Sequence, residues 1–393
     1  RGREVVGDLD ILVTGECCHA ENRAQLEAVL ESIKTFPGIS EILAQGDNKV
    51  SFRLRNGMQV DVRLLPPKSF GAAMQYFTGS KSHNVAIRQL ALKFGYTLNE
   101  YGLTTMDDGA VVASHTEEEV YRALKLDWIP PELRENQGEI EAAAKHTLPD
   151  LITEADIRGD VHAHTFETDG RESIVDMATT ARNKGYEYCA ITDHSKNLAM
   201  TNGMDEKRTL AHAARIRAAN EEVKGIRILA GIECDILADG SLDLSHDVLD
   251  ELDIVIGSVH SRFSQSYEEM TERIVRAISS GKMHVMGHPF GRLLLRREGY
   301  TFDFERVCKT AVEHGVALEH NSDPNRLDLS DTHLRIAKSV GVKFMINTDA
   351  HSSFDYGKMK YGILQLRRAW LTKQDVLNTL PLNDFLRVLR RTH

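Results

Sequence analysis

The chain has 393 residues, 41% apolar and 27% charged, with a formal net charge of -10. That length suits two or three domains of ordinary globular composition. The acidic balance argues against a protein that merely coats nucleic acid, but leaves open an enzyme whose metal ions meet the phosphates. No apolar run reaches membrane-spanning length and no signal peptide opens the chain, so no membrane partner is expected. The five cysteines, Cys17, Cys18, Cys189, Cys234 and Cys308, include no Cys-x-x-Cys pair. Neither a zinc ribbon nor a disulfide framework is indicated, and a reducing cytoplasm is the expected location. The first residue is Arg1, a few residues ahead of a strand-like run, which reads as a chain missing its natural N-terminus.

Residues 5–14 read VVGDLDILVT and predict a strand with Asp8 and Asp10 on one face. A helix is expected over 21–34. KVSFRLRNGMQVDVRLL then gives two alternating runs around Asn56-Gly57, a hairpin signal, with Asp61 in the second run. Three carboxylates on adjacent strands can hold Mg²⁺ for phosphoryl transfer. HTEEEVYRALKL predicts a helix with a Thr cap, broken by Pro130-Pro131, inside a polar stretch expected to be a linker over 113–155.

From Asp156 onward seven strand-like runs alternate with amphipathic spacers: RGDVHAH, EYCAITDH, IRILAGIECD, DIVIGSVH, MHVMGHP, VALEHN and KFMINTDAH. Repeated strand–helix alternation means parallel strands, and seven of them predict a barrel with its chemistry at the C-terminal strand ends. Of His162, His164, Asp169, His194, Glu233, His260, His288, Asp349 and His351, almost every one lies at such an end, Asp169 following in an Asp-Gly turn. Converging imidazoles and carboxylates point to a metallohydrolase. Lys196, Arg262 and Arg292 follow strand ends and are candidate phosphate contacts. His320 is expected to be a solvated or supporting histidine near the mouth.

Two stretches carry a family resemblance. GDLDILVTG, VDVRLLP and YFTGSKSHNVAIR resemble the palm and thumb of family X DNA polymerases. The order HAH, TDG, TDH, GIE, SVH, GHP and TDAH resembles the polymerase and histidinol phosphatase (PHP) domain, as fused to bacterial family X polymerases. The fold implied is α/β: an α+β palm and thumb remnant followed by a distorted (β/α)7 PHP barrel. The domains implied are palm 1–67, thumb 68–112, linker 113–155 and PHP 156–393. The resemblance makes Asp8, Asp10 and Asp61 the polymerase carboxylates, holding Mg²⁺ or Mn²⁺. Arg1, Tyr76, Phe77, Gly79, Asn84 and Arg88 would line the nucleotide and base-pair site, with Lys81 where the pattern has an aspartate. The lyase, fingers and glycine-serine elements of the family do not precede this palm, so primer extension by the fragment is expected to be impaired.

In the barrel the resemblance implies a trinuclear site. His162, His164, Glu233 and Asp349 would hold one ion, Glu233, His260 and His288 a second, and Asp169, His194 and His351 a third. His162, Glu233 and His260 are the expected catalytic set. The implied activity is a metal-dependent 3′–5′ exonuclease of DNA repair, with Mn²⁺, Zn²⁺ or Fe in the barrel. The implied partners are gapped DNA or DNA 3′ ends, with deoxynucleoside triphosphates at the palm. A small-molecule phosphoesterase of the histidinol phosphatase type and a non-catalytic brace are the alternatives.

Overall fold

The structure is a computed structural model and describes residues 1–390, so the last three residues of the expected PHP segment lie outside the described residues. The chain divides into two compact units, Arg1–Leu148 and Pro149–His393. No described helix is long and apolar enough to cross a membrane.

The first unit begins with β1 (Asp8–Val13), α1 (Arg23–Lys34), β2 (Ile39–Gly46), β3 (Lys49–Leu54) and β4 (Gln59–Leu64). The expected hairpin is β3–β4, antiparallel around Asn56-Gly57. Strand β1 joins it parallel to β4, in the register that sets Asp10 against Asp61. The sheet order is β1-β4-β3-β2. Strand β2 was not expected from the sequence; five of its eight residues are exposed, so its apolar alternation is weak.

Helices α2 (Phe70–Thr78) and α3 (Lys81–Lys93) follow, then β5 (Tyr96–Asn99), β6 (Gly102–Thr105) and β7 (Val111–Ala113), a three-stranded antiparallel sheet. Helices α4 (Glu117–Ala123) and α5 (Glu139–Ala144) complete the unit. The expected Thr cap is present: the Thr116 hydroxyl accepts from the Glu119 backbone N–H at 3.2 Å. The stretch expected to be a linker departs from that reading up to Leu148, because it packs with the first unit. Tyr121, Leu124, Ile129 and Leu133 are buried. Arg134 is fully buried, makes a bidentate pair with Glu117 at 2.6 and 3.0 Å, and lies over the Tyr121 and Trp128 rings. Charged residues in the sequence hid this core, since a buried arginine with a paired carboxylate looks polar in a composition window.

The second unit is the barrel. Its strands are β8 (Gly159–Asp160), β9 (Tyr188–Ile191), β10 (Arg227–Asp235), β11 (Ile254–Ser258), β12 (Val285–Met286), β13 (Ala317–Asn321) and β14 (Phe344–Asn347). All are parallel and neighbours in chain order. Between them lie α6 (Ile174–Asn183), α7 (Glu206–Glu222), α8 (His246–Asp250), α9 (Tyr267–Ile278), α10 (Phe304–His314) and α11 (Asp331–Val340), with α12 (Met359–Arg368) and α13 (Leu382–Arg390) last. Ser173 and Asp176 form a capping box on α6, and Ser266 and Glu269 on α9. Just past β8 and β14 the seam closes: His164 N–H donates to Ala350 C=O at 2.8 Å, and Ala350 N–H to His162 C=O at 3.2 Å.

The side-chain period of a strand sorts the barrel interior. Leu229, Ile254, Ile256, Val285, Ala317 and Met345 form its lower core, and Phe385 and Leu389 of α13 join them. The Tyr188 and Phe385 rings stack at 4.4 Å. Two or four residues further along the same inward files come Glu233, Glu319 and Asn347, above the apolar plug. Residues of opposite parity face the helices. His320 is one of these, which corrects its expected place near the mouth: it is fully buried behind the strand, its Nδ1 donating to Leu329 C=O at 2.9 Å.

Candidate metal centre

Strand β8 is only two residues long, so His162 and His164 lie beyond it, held instead by the seam and by the Thr192 hydroxyl, which accepts from Ala163 N–H at 3.1 Å. Their rings still face the same space, with centroids 5.2 Å apart. The Asp169-Gly170 turn folds back onto this segment, and a Cβ on Gly170 would lie 2.5 Å from the His164 carbonyl, so only glycine fits there.

The nine barrel residues come together around one carboxylate. Glu233 Oε1 is 3.3 Å from His260 Nε2 and 3.0 Å from His288 Nε2. Glu233 Oε2 is 3.4 Å from His162 Nε2, 3.6 Å from His164 Nε2 and 3.0 Å from His194 Nδ1. Asp349 Oδ1 lies 3.1 Å from His164 Nε2 and 3.6 Å from His162 Nε2. Asp169 Oδ2 lies 3.4 Å from both His194 Nε2 and His351 Nε2. Three sets have all their donor atoms within 4.8 Å: His164/Asp169/His194/His351, His162/His164/Glu233 and His194/Glu233/His260. Two of the nine hold strained backbone, His288 at φ 26 and Asp349 at φ 52.

The groups behind this cluster fix ring tautomers. His162 Nδ1 donates to Glu319 at 2.7 Å, His260 Nδ1 donates to Asp235, and His351 Nδ1 donates to Asp349 C=O at 2.8 Å. Each therefore turns Nε2 inward, the nitrogen that would give up its proton to a metal ion. Glu319 also accepts from Asn347 at 2.9 Å and from His288 N–H at 2.8 Å. Asp193 anchors the Thr165 N–H at 2.8 Å and takes a hydrogen bond from His212 at 2.8 Å. Sequence reasoning missed Glu319, Asp235 and Asp193 as site residues. The available signal was a carboxylate inside an otherwise apolar barrel strand or at its end, which is rare unless paired.

The electrostatics follow from crowding opposite charges in a buried space. The surrounding histidines hold the Glu233 and Asp349 carboxyls well below the usual range, against burial that pushes the other way. The Glu233 and Asp169 carboxylates raise His194 to about 10, and Glu233 with Asp235 raises His260 to about 9, both against burial. Burial, aided by His351 and His194, lowers His164 to about 4. His162 Nε2, His164 Nδ1, His194 Nδ1 and Glu233 Oε2 are buried with no hydrogen-bond partner. Imidazole nitrogens and carboxylate oxygens 3.0–3.6 Å apart, with no hydrogen-bond partners beyond one another, are a donor set that fits divalent cations.

The candidate phosphate contacts fare differently. Lys196 is spent on Glu206, and Arg292 donates to the Arg326 and Leu327 carbonyls, pinning that loop. Arg262 is exposed.

In the first unit Asp8 and Asp10 share a face of β1 and Asp10 opposes Asp61 across the parallel pair. Burial and the charges of Asp8 and Asp61 raise the Asp10 carboxyl above its ordinary value. Asp61 accepts from Ser51 and, at 2.9 Å, from Gln59. Among the described residues these three do not form a ligand cluster as tight as the barrel's. An open cleft of about 630 Å³ is lined by Arg1, Asp8, Asp10, Met74 and Phe77. Arg1 pairs with Glu135 at 3.1 Å and donates to the Thr78 carbonyl. A Cβ on Gly79, at φ 72, would lie 2.9 Å from the Arg1 guanidinium. Tyr76 packs edge-on against Phe77. The Asn84 amide is engaged by Tyr76 C=O at 2.6 Å and Gln75 at 2.9 Å, while Lys81 and Arg88 are exposed on α3.

Comparisons with known proteins agree with this layout. The family description DNA polymerase beta thumb matches residues 73–135, and PHP domain matches 160–323. The thumb match thus runs on through α4, and Asp349 and His351 lie past the PHP match yet sit in the same cluster. A probable phosphatase of Thermoanaerobacter sp. (strain X514) is 31% identical over 56% of this chain and 89% of its own length. The probable phosphatase YcdX of Escherichia coli O127:H6 is 28% identical over 56% of the chain and 90% of its own length. The DNA polymerase/3′-5′ exonuclease PolX of Bacillus subtilis (strain 168) is 39% identical over the whole chain, which spans 67% of that protein. A match of that identity and length, across a polymerase thumb and a PHP barrel, shows that the chain belongs to the bacterial family X DNA polymerase/3′-5′ exonuclease family.

Proposed function

We propose that the barrel is a metal-dependent 3′–5′ exonuclease acting on DNA phosphodiesters, joined to a unit that carries the nucleotidyltransferase carboxylates Asp8, Asp10 and Asp61. The observation that supports this best is the buried, unpartnered donor set around Glu233. The proposed ligands are His162, His164, Glu233 and Asp349 for one ion, Glu233, His260 and His288 for a second, and Asp169, His194 and His351 for a third. The two oxygens of Glu233 face different imidazoles, as a bridging carboxylate requires. Mixed imidazole and carboxylate donors suit Mn²⁺, Zn²⁺ or Fe. Bound divalent ions supply an activated water and charge to stabilise the leaving 3′-oxyanion. The chain's own contribution is to hold the Nε2 atoms of His162 and His260 in place through Glu319 and Asp235 and to bury Glu233 and the histidines around it. At the palm the proposed ion is Mg²⁺ or Mn²⁺, with Arg1, Tyr76, Phe77 and Gly79 toward the nucleotide and Asn84 and Arg88 toward the base pair. The proposed partners are gapped DNA or 3′ ends and deoxynucleoside triphosphates, in the cytoplasm. The proposed domains are a palm over 1–67, a thumb that continues from 68 past 112, and the barrel from 156.

A phosphoesterase acting on small molecules is the second reading, favoured by the two relatives named as probable phosphatases that match the barrel. One preparation, given end-labelled DNA and a phosphomonoester in parallel, separates the two. Mononucleotide release that survives Asp10→Ala and disappears in His260→Ala is the expected result. Phosphomonoester hydrolysis without nucleotide release would sink the nuclease reading.

A further inference from the structure

The four most exposed large apolar side chains of the barrel unit are Phe166 at 61%, Leu295 at 89%, Met200 at 90% and Phe354 at 90%. All four stand on segments that follow barrel strands, Met200 and Phe354 within short 3-10 turns, at the end where the nine clustered residues lie. The other exposed large apolar side chains of this unit lie on its helices at 39–46%, so the strongest exposure gathers at one end, as at a recognition surface. Phe354 is the most informative of them. Its ring lines a cavity of about 560 Å³ together with Asp169, Arg171, His351 and Lys358, so it shares a wall with two of the proposed ligands.

The backbone beneath that ring is fixed while the ring is free. Ser353 donates through its N–H and hydroxyl to Glu172 at 3.2 and 3.0 Å. Asp355 accepts from His351 N–H at 3.1 Å and pairs with Lys358 at 2.8 Å, and Lys358 reaches Asp323 at 2.7 Å. Glu172 also accepts through its carbonyl from Phe166 N–H at 3.1 Å, tying the two phenylalanine loops to one residue. A rigid base under an exposed aromatic face binds a planar partner with little loss of conformational freedom. Arg171, exposed on the same wall, adds a positive charge for a phosphate.

We propose that Phe354 is a base-stacking residue of the barrel site, on whose ring the terminal nucleobase of the DNA substrate lies while its phosphate faces the Asp169/His351 side of the cluster. This rests on the nuclease reading and adds to it the group that recognises the leaving nucleotide. Aromatic–base stacking is tolerant of sequence because every base has a π face, and it commonly changes affinity by about tenfold or more per base.

The test uses the full chain loaded with Mn²⁺ and a single-stranded oligonucleotide with a phosphorothioate at its last linkage and 2-aminopurine as its 3′-terminal base. Binding to the wild type should quench the 2-aminopurine. Phe354→Ala should lose the quenching and bind about tenfold more weakly, with metal content unchanged. Phe354→Trp should retain both, and Phe354→Leu, apolar without a π face, should behave as Phe354→Ala. Equal quenching in Phe354→Ala, wild-type affinity in Phe354→Leu, or equal affinity for an oligonucleotide with an abasic 3′ end would each overturn the proposal while leaving the nuclease reading intact. Failure of the wild type to bind or shorten any oligonucleotide would overturn both. Loss of self-association in Phe354→Ala, with oligonucleotide binding unchanged, would reassign the ring to a contact with a second copy.

Discussion

Glu319→Gln perturbs the barrel site without replacing any proposed ligand. In the native chain one Glu319 oxygen accepts from His162 Nδ1 at 2.7 Å and Asn347 at 2.9 Å, and the other accepts from His288 N–H at 2.8 Å. All of these groups are fully buried or nearly so. Glutamine keeps the volume but supplies one oxygen and one NH₂. Turned one way, the NH₂ meets the His288 N–H; turned the other, it meets His162 and Asn347. His162 can relieve the second clash only by moving its proton to Nε2, which closes the lone pair aimed at Glu233. Leaving one buried donor unpaired costs about 1–3 kcal/mol, and losing a carboxylate behind a metal-binding histidine typically costs 10–100-fold in metal affinity. The melting temperature should fall by about 5 °C for a unit of this size. Titrating Mn²⁺ in a chelator buffer, with bound metal counted by elemental analysis, measures the affinity. Activity should return at high Mn²⁺, because the ligands themselves remain. Unchanged affinity and melting temperature would refute the claim that Glu319 sets the His162 tautomer.

Glu233→Ala should lose close to two metals per chain and all nuclease activity, whereas His194→Ala should lose about one; equal metal content in the two variants would remove the bridging role. Burial lowers His320 to about 3, below its unfolded value, so the unfolded chain takes up that proton first. The stability His320 contributes is therefore intact above pH 6.5 and lost as pH falls toward 3, by about 1.4 kcal/mol per pH unit. His320→Gln should flatten that part of a melting-temperature profile, and an unchanged slope would exonerate the histidine. Glu117→Ala strands the buried Arg134 guanidinium and should destabilise the first unit by about 3–5 kcal/mol, partly recovered in Glu117→Ala/Arg134→Met; thermal unfolding of both variants decides it.

Sequence alone made the barrel legible because each strand ends in a different polar motif, and inward parity then carries Glu233 to the centre. It failed where structure depends on pairs distant in sequence. Nothing local marks Glu117 and Arg134 as a buried couple, so a packed segment looked like a linker. Strand β2 and the β5–β7 sheet carry too little apolar alternation to stand out. Glu319 looked like any carboxylate until the fold set it behind His162. His320 was misjudged for the complementary reason: one step along the same strand reverses the face.

The seam between the start and the end of the barrel gives the protein a built-in order of assembly. The hydrogen bonds that close it belong to His162, His164 and Ala350, and Asp349 and His351 flank the last of these. Geometric closure and completion of the cluster are therefore one event, between segments separated by 185 residues in the His164–Asp349 pair. Contacts of such long range form late, after loop entropy has been met by nearer ones. A nascent chain that has emerged only as far as α11 carries all the residues of one proposed ion site, Glu233, His260 and His288, and lacks Asp349 and His351 of the other two, without the strand that locks His162 and His164 toward them. It should handle DNA as an inert passenger until β14 docks, so hydrolytic activity is withheld from the cell until synthesis has passed Asp349.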